Sequence, residues 1–567
     1  MDFKTKLIRD SRLNKITNEL VYSVQSRASQ NTFNQYNATS TSTTNVSWNI
    51  QPPSESTCLD RNLLVEAGIK FTITIPAGGH DSVPIGTNMM MYGYRESFQA
   101  FPFNQLITTA TATFNNVSVS LNQQDVFPAY LRMLDNEVLQ KYQALTPVFM
   151  DNYKQFQDSI LSNNNPMAAY TNGISEEYTL KRGCHPVSIA CVATGTGHNP
   201  ADNNPIKINN DNNFVFTIQA TFVEPLFISP LLFAGLPQND AALLGLNHFN
   251  LVLNLDSSMR RFWSSGLANT QGYGSDGATV VQYNLAMTKS PVCKLYVNYL
   301  TLQTTQLVES KNILSYIDVP RYITSTQNVD PIAANDSKVV SLQNIQLQQI
   351  PDRFIIFARK PIGDQRIFDS SSFFAIQNVS INFNNCSGIL SSCSQYDLWR
   401  MSVRNGCKLN WYEWSGKVNA YSAEPTIFSS PISTIGSVLI INPASDLGLP
   451  AFLSNGSQGQ FSFQANITFA NIDGYEYAPE IVVCCMNSGL METQLGQSSV
   501  YTALLTMDKV LACNEEGSAE SFGKDEPEVR MLGDGLVNVH SHNKMHHFRL
   551  KKVMNELVNH PGVLGGG

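Results

Sequence analysis

The chain has no apolar run near the ~18 residues that a membrane-spanning helix needs, which sets aside a helical membrane protein. Charge is scarce: Asp, Glu, Lys and Arg make up only 14% of 567 residues, and the net charge is −8. A protein that neutralises phosphate over its surface needs the opposite balance, so no sequence-specific nucleic-acid partner is expected. The ten cysteines include no C-x-x-C pair of metal type, and Cys484 and Cys485 are adjacent. Free buried thiols, with no disulfide framework, are the expectation. The opening "MDFKTKLIRD" lacks the apolar core of a secretory signal, so synthesis without one is expected. The Asn-x-Ser/Thr sequons, including Asn116, Asn378 and Asn466, then follow from an Asn- and Ser-rich composition rather than from glycosylation.

Catalytic signatures are missing as well. Gly195-x-Gly197 has no third glycine at dinucleotide spacing. There is no G-x-S-x-G, no H-E-x-x-H and no P-loop lysine. Asp202, Asn203 and Asp211 lack the glycine and terminal Glu of a calcium loop and read as solvated. Trp399, Trp411, Tyr412 and Trp414 could stack sugars or bases, but rings at this density more often fill a core or a subunit seam. No catalytic, cofactor or metal residue is assigned, and no enzymatic activity is expected.

What the chain does have is alternation. Strand patterns occur at Ile69, Phe71, Ile73 and Ile75, at Phe214 to Phe222, and at "FNLVLNL", 249 to 255. Others follow at 294 to 303, 353 to 359, 436 to 441 and 461 to 469. Strands joined by polar loops such as 195 to 213 and 266 to 278, with no alternation of strand and long helix, predict an all-β protein of sandwiches.

One strand occurs twice. Asn116-Val117-Ser118-Val119-Ser120-Leu121-Asn122 matches Asn378-Val379-Ser380-Ile381-Asn382-Phe383-Asn384 without a gap, at an offset of 262 residues. A helix candidate follows each copy. The first has Val126, Pro128, Tyr130, Leu134 and Val138. The second opens with the capping-box pattern Ser394-Gln395-Tyr396-Asp397, then Leu398, Trp399 and Met401. "GLNHFNLVLNL" and "GQFSFQANITF" come later in the two halves. This order, strand, helix, excursion, strand, predicts a duplicated domain.

The termini read differently. Residues 1–57 lack sustained periodicity and predict an arm, basic over its first 27 residues, with Leu13, Ile16 and Leu20 on one face of a short helix. Residues 513–567 predict a mobile tail: acidic over 514 to 530, then "HSHNKMHHFRLKK" with His540, His542, His546 and His547. A tail that contacts anions or a partner is favoured there over a metal site.

The segments "RESFQAFPFNQLITTATATFNNVSVSLN" (95 to 122), 369 to 416 and "GSVLIINPASDLGLPAFLSNGSQGQFSFQANITFAN" (436 to 471) together resemble a known family. It is the double jelly-roll major capsid proteins of the Polinton/Maverick and adintovirus group, relatives of virophage capsid proteins and distantly of adenovirus hexon. The resemblance implies two tandem jelly-roll β-sandwiches with short flanking helices and long surface loops: an arm at 1–57, jelly rolls at 58–290 and 291–512, and a tail at 513–567. It implies a homotrimer forming a pseudo-hexagonal capsomer of an icosahedral virion. Neighbouring capsomers and minor capsid or penton proteins are the implied partners, and an internal membrane is compatible with it. The terminal "VLGGG" resembles a site cut by adenovirus-type maturation proteases, which adds such a protease as a partner at the tail. The alternative is a two-jelly-roll carbohydrate-binding or carbohydrate-cleaving protein.

Overall fold

Alternation decides the strands. Strand Phe249–Leu255 buries Phe249, Leu251, Leu253 and Leu255 and leaves the residues between them half-exposed. Side chains point to opposite sheet faces in turn, and each large apolar one buried contributes roughly 1.5–3 kcal/mol. The computed structural model describes residues 29–54, 57–75, 96–134, 186–191, 207–208, 214–231, 242–265, 284–302, 311–324, 329–365, 369–384, 386–420, 430–494, 496–511, 528–531 and 537–540.

These strands form two tandem jelly-roll sandwiches. In the first, one sheet runs Ser29–Asn37, Val292–Leu302, Leu64–Ile75, Phe214–Pro225. Its partner sheet runs Ser40–Thr41, Asn45–Ile50, Phe249–Leu255, Ile107–Phe114, Val117–Leu121. In the second, Asn312–Asp318, Glu480–Gln494, Arg353–Arg359 and Leu439–Ile441 form one sheet. Ser337–Ser341, Gln458–Ala470, Ala375–Phe383 and Cys386–Ile389 form the other. The two strand orders follow the same path through the chain, so the duplication is real.

Its register is not the expected one. Among the described residues, Val117–Leu121 is an edge strand paired only with Ile107–Phe114, whereas Ala375–Phe383 lies between Gln458–Ala470 and Cys386–Ile389. The counterpart of Ala375–Phe383 is therefore Ile107–Phe114, one strand earlier. The turns prove it. Asn115 and Asn384 both follow a buried Phe and both adopt left-handed φ, 53° and 51°. Asn115 N–H donates to the His248 carbonyl at 2.8 Å, and Asn384 N–H to the Ser462 carbonyl at 2.9 Å. Each Asn Oδ1 also accepts a backbone N–H from the facing strand or its approach, Asn247 and Ser462 respectively. Phe383 thus matches Phe114, 269 residues earlier. Two neighbouring strands of period two look alike, so alternation could not choose between them; an asparagine tolerating a left-handed turn does.

The limits of the first sandwich also differ from expectation. Within the expected arm, Ser29–Asn37 pairs with Val292–Leu302 and Asn45–Ile50 with Phe249–Leu255, and Val46, Trp48 and Ile50 are buried. Three apolar residues among Asn, Ser and Thr are too few to show as periodicity. Val292–Leu302, placed by the expected boundary in the second jelly roll, closes the first.

The expected helices are present as Gln123–Tyr130, continued by a 3-10 turn Leu131–Met133, and as Gln395–Arg404. Val138, the basic segment 1–27, Asp202, Asn203, Asp211 and the loop 266–278 lie outside the described residues. The loop 195–213 is described only at Lys207–Ile208, which pairs with Phe214–Pro225. In the tail, Glu528–Met531 pairs with Val537–His540, while His542, His546, His547 and the terminal "VLGGG" lie outside. Among the described residues no helix is long and apolar enough to cross a membrane.

Candidate functional site

Among the described residues, a network of buried charge lies where the two sandwiches meet. Helix Gln123–Tyr130 of the first sandwich lies against strands of the second, and Pro128 sits inside it. A proline has no N–H, so the carbonyl four residues back loses its helical partner. That carbonyl belongs to Gln124. It accepts instead from Arg261 Nη1 at 2.9 Å and from Arg359 Nη1 at 3.1 Å, the latter across the seam. The proline thereby opens the helix to the second sandwich.

Asp125, next in the chain, completes the clamp. Its carboxylate accepts from Arg359 Nη2 at 2.5 Å and from Arg321 Nε, both in the second sandwich. Arg359 Nε also donates to Glu480 at 2.7 Å. Burial acts to raise the Asp125 pKa, but the charges and hydrogen bonds of Arg359 and Arg321 outweigh it and hold the carboxyl below the ordinary aspartate range. Arg261 is pushed down to about 9, chiefly by burial and then by the charge of Arg359, and stays cationic at neutral pH. Such a network adds little net stability when intact, yet removing one member leaves an uncompensated buried charge. The network ties helix Gln123–Tyr130 to strands of the second sandwich.

Further contacts run along the same seam. Arg132 Nη2 donates to the Ser371 carbonyl at 3.1 Å, Asn115 Nδ2 to Ser498 Oγ at 2.9 Å, and Ser498 N–H to Asn116 Oδ1 at 2.7 Å. Between them lies an apolar cleft of about 510 Å³, counting solvent at its mouth, walled by Leu121, Val126 and Phe127 on one side and Tyr316, Ile317 and Val319 on the other.

Deeper in the first sandwich, Glu224 accepts from Phe103 N–H at 3.0 Å, Asn104 N–H at 2.9 Å and Asn104 Nδ2 at 2.8 Å. Burial raises its carboxyl to about 7, only partly offset by these three bonds. Gln123 Nε2 donates to Asn104 Oδ1 at 2.8 Å, which ties this buried acid to the start of the seam helix.

The tryptophan-rich group divides. Trp414 is fully buried, with Nε1 donating to the Val438 carbonyl at 2.9 Å. Trp399 and Trp411 are half-buried and form a three-ring contact with the exposed Tyr396, while Tyr412 is also exposed. Part of the group is therefore core and part faces outward. Among the described residues no group of three or more His, Cys, Asp or Glu is placed to hold a metal ion. The seven described free cysteines include Cys293 and Cys484, both raised to about 12 by burial. Sequence reasoning missed the seam charges. Asp125, Arg261, Arg321, Arg359 and Glu480 are dispersed along the chain and form no local motif.

Comparison with known proteins bears on the whole chain. The family model "Sputnik virophage major capsid protein 1st domain" matches residues 1–300, and "Major capsid protein V20 C-terminal domain" matches residues 319–489. The putative capsid protein V20 of Sputnik virophage is 26% identical over 515 residues, covering 89% of this chain and 80% of that protein. In solved structures, the fold is similar to a chain of the Sputnik virophage particle, with a TM-score of 0.75, 20% identity, and coverage of 97% of this chain and 98% of that one. It is also similar to the mavirus major capsid protein, with a TM-score of 0.64, 15% identity, and coverage of 90% and 98%. The first of these family models alone spans more than half of the chain, and the chain belongs to the Sputnik virophage major capsid protein family.

Proposed function

We propose that the chain is the building block of an icosahedral viral shell, assembling as homotrimers that form pseudo-hexagonal capsomers. The observation that carries this reading is the duplication. Two like sandwiches held rigidly by a buried clamp give each chain two corners, so three chains in a ring offer six. Closed cyclic association is a common outcome for identical subunits. The first jelly roll then extends from Ser29 to Leu302 and the second from Asn312 to Thr502, with an N-terminal segment and a tail beyond them.

The chain acts in the virion as a structural protein without enzymatic activity. Its partners are copies of itself, neighbouring capsomers, minor capsid or penton proteins, and a maturation protease at the tail. The resemblance of residues 95 to 122, 369 to 416 and 436 to 471 supports a kinship, within the wider family, with the Polinton/Maverick and adintovirus capsid proteins. Electron microscopy of the purified chain, with native mass measurement, tests the reading. Trimers with a hexagonal outline are expected; a stable monomer, or an assembly that forms only with saccharide, would overturn it.

A further inference from the structure

The packing of the two sandwiches leaves the seam cleft unfilled, and it leaves one charge beside the cleft without a partner. Phe127, Tyr130 and Met486 are buried in the cleft wall, and Leu121, Ile317 and Val319 are half-buried there. Ser229 Oγ, one of the few polar atoms of the wall, already accepts from Ile317 N–H at 2.9 Å. Arg353 opens strand Arg353–Arg359 and lies directly opposite Met486. Opposed residues of an antiparallel pair project from the same face of the sheet, so Arg353 stands on the cleft side. Burial raises the Tyr130 pKa and the charge of Arg353 opposes the rise, so the guanidinium is within electrostatic reach of a second wall residue.

Other arginines of the seam are engaged: Arg132 with Ser371, Arg261 with Gln124, Arg321 and Arg359 with Asp125. Arg353 is half-buried and, among the described residues, makes no hydrogen bond or ion pair. The acids near it in the fold do not serve it. Asp352 accepts from Ser488 Oγ. Asp318 pairs with Asn487, one residue past Met486, and so turns to the opposite face of the sheet. A cation that has lost part of its hydration and gained no partner calls for an anion.

We propose that the seam cleft binds a free fatty acid, with its alkyl chain against Phe127, Ile317, Val319 and Met486 and its carboxylate on Arg353. The two ends of the site select this class together. An apolar wall with little to hydrogen-bond favours a hydrocarbon chain over a sugar or a nucleotide, and an opening of about 510 Å³ with its mouth lies within the roughly 300–1,000 Å³ of small-ligand sites. A planar guanidinium matches a carboxylate with two parallel hydrogen bonds. Gly406, with φ +112°, keeps space beside it: a Cβ there would come within 3.4 Å of Arg353 Nη1. The proposal goes beyond the capsomer reading and does not depend on how copies associate.

The test titrates the full-length chain with decanoate and with uncharged 1-decanol by isothermal calorimetry. One decanoate per chain should bind, at least about tenfold more tightly than decanol, the scale of a hydrogen bond to a charged group. Arg353→Gln should remove that advantage and leave decanol binding as it was. Val319→Trp, which fills the cleft, should weaken both ligands. Decanoate that does not bind, or binds no better than decanol, overturns the proposal. So does an Arg353→Gln chain that keeps the preference, or a Val319→Trp chain that binds as before. Should either variant not fold, hydrogen exchange on the unaltered chain decides: residues 121–130 and 316–319 should exchange more slowly with decanoate than without it. Equal exchange there overturns the site.

Discussion

The helices Gln123–Tyr130 and Gln395–Arg404 hold matching positions in two copies of one fold and are stabilised in opposite ways. The first has no side-chain cap, contains a proline and is almost wholly buried. The second has both halves of a capping box between Ser394 and Asp397, and Arg404 in its last turn. Short helices are marginal in isolation and are held by packing, by local signals or by both. Where the seam supplies packing, local signals have been replaced by groups that serve the seam, as Pro128 and Asp125 do. Where the helix faces outward, the local signals remain.

The largest expected effect lies at the buried helix. Arg359→Ala leaves Asp125 and Glu480 without their shared cation, and should destabilise the protein by about 3–5 kcal/mol in chemical denaturation. A loss below about 1 kcal/mol would mean that the clamp does not hold the halves together. A smaller effect sharpens the contrast between the helices. Ser394→Ala should cost about 1 kcal/mol through loss of the cap. Asn122→Ala, at the matching position, should stay within about 0.5 kcal/mol, because that side chain caps nothing. Equal costs at both positions would contradict the division between packing and local signals.

A third contrast is read in pH. The folded pKa of Glu224 is raised from 4.5 to about 7, so its contribution is fully present below 4.5 and is lost as pH rises through about 7. Asp125 has the opposite sign. Its lowered pKa contributes stability above 3.8 that is lost as pH falls through the lower folded value. Thermal melts of Glu224→Gln should show a flatter pH dependence between 4.5 and 7 than the unaltered protein, with the acid limb unchanged. An identical profile would place the Glu224 carboxyl in an ordinary environment.

Much of this molecule was determined by sequence alone, wherever the cause is local. Phe249–Leu255 alternates because one face must be apolar, and Ser394 and Asp397 cap a helix because their side chains reach its first free N–H groups. The repeat itself and the capsid-like segments were legible for the same reason. Tertiary structure decided what depends on distant partners. Alternation is identical in neighbouring strands, so only the facing strand, through Asn115 and Asn384, sets which copy matches which. Asn45–Ile50 is a strand because Phe249–Leu255 pairs with it, not because its polar residues favour one. Asp125, Arg321, Arg359 and Glu480 become a clamp only when two sandwiches bring them within hydrogen-bond reach, since charge pairing acts through space and leaves no spacing along the chain.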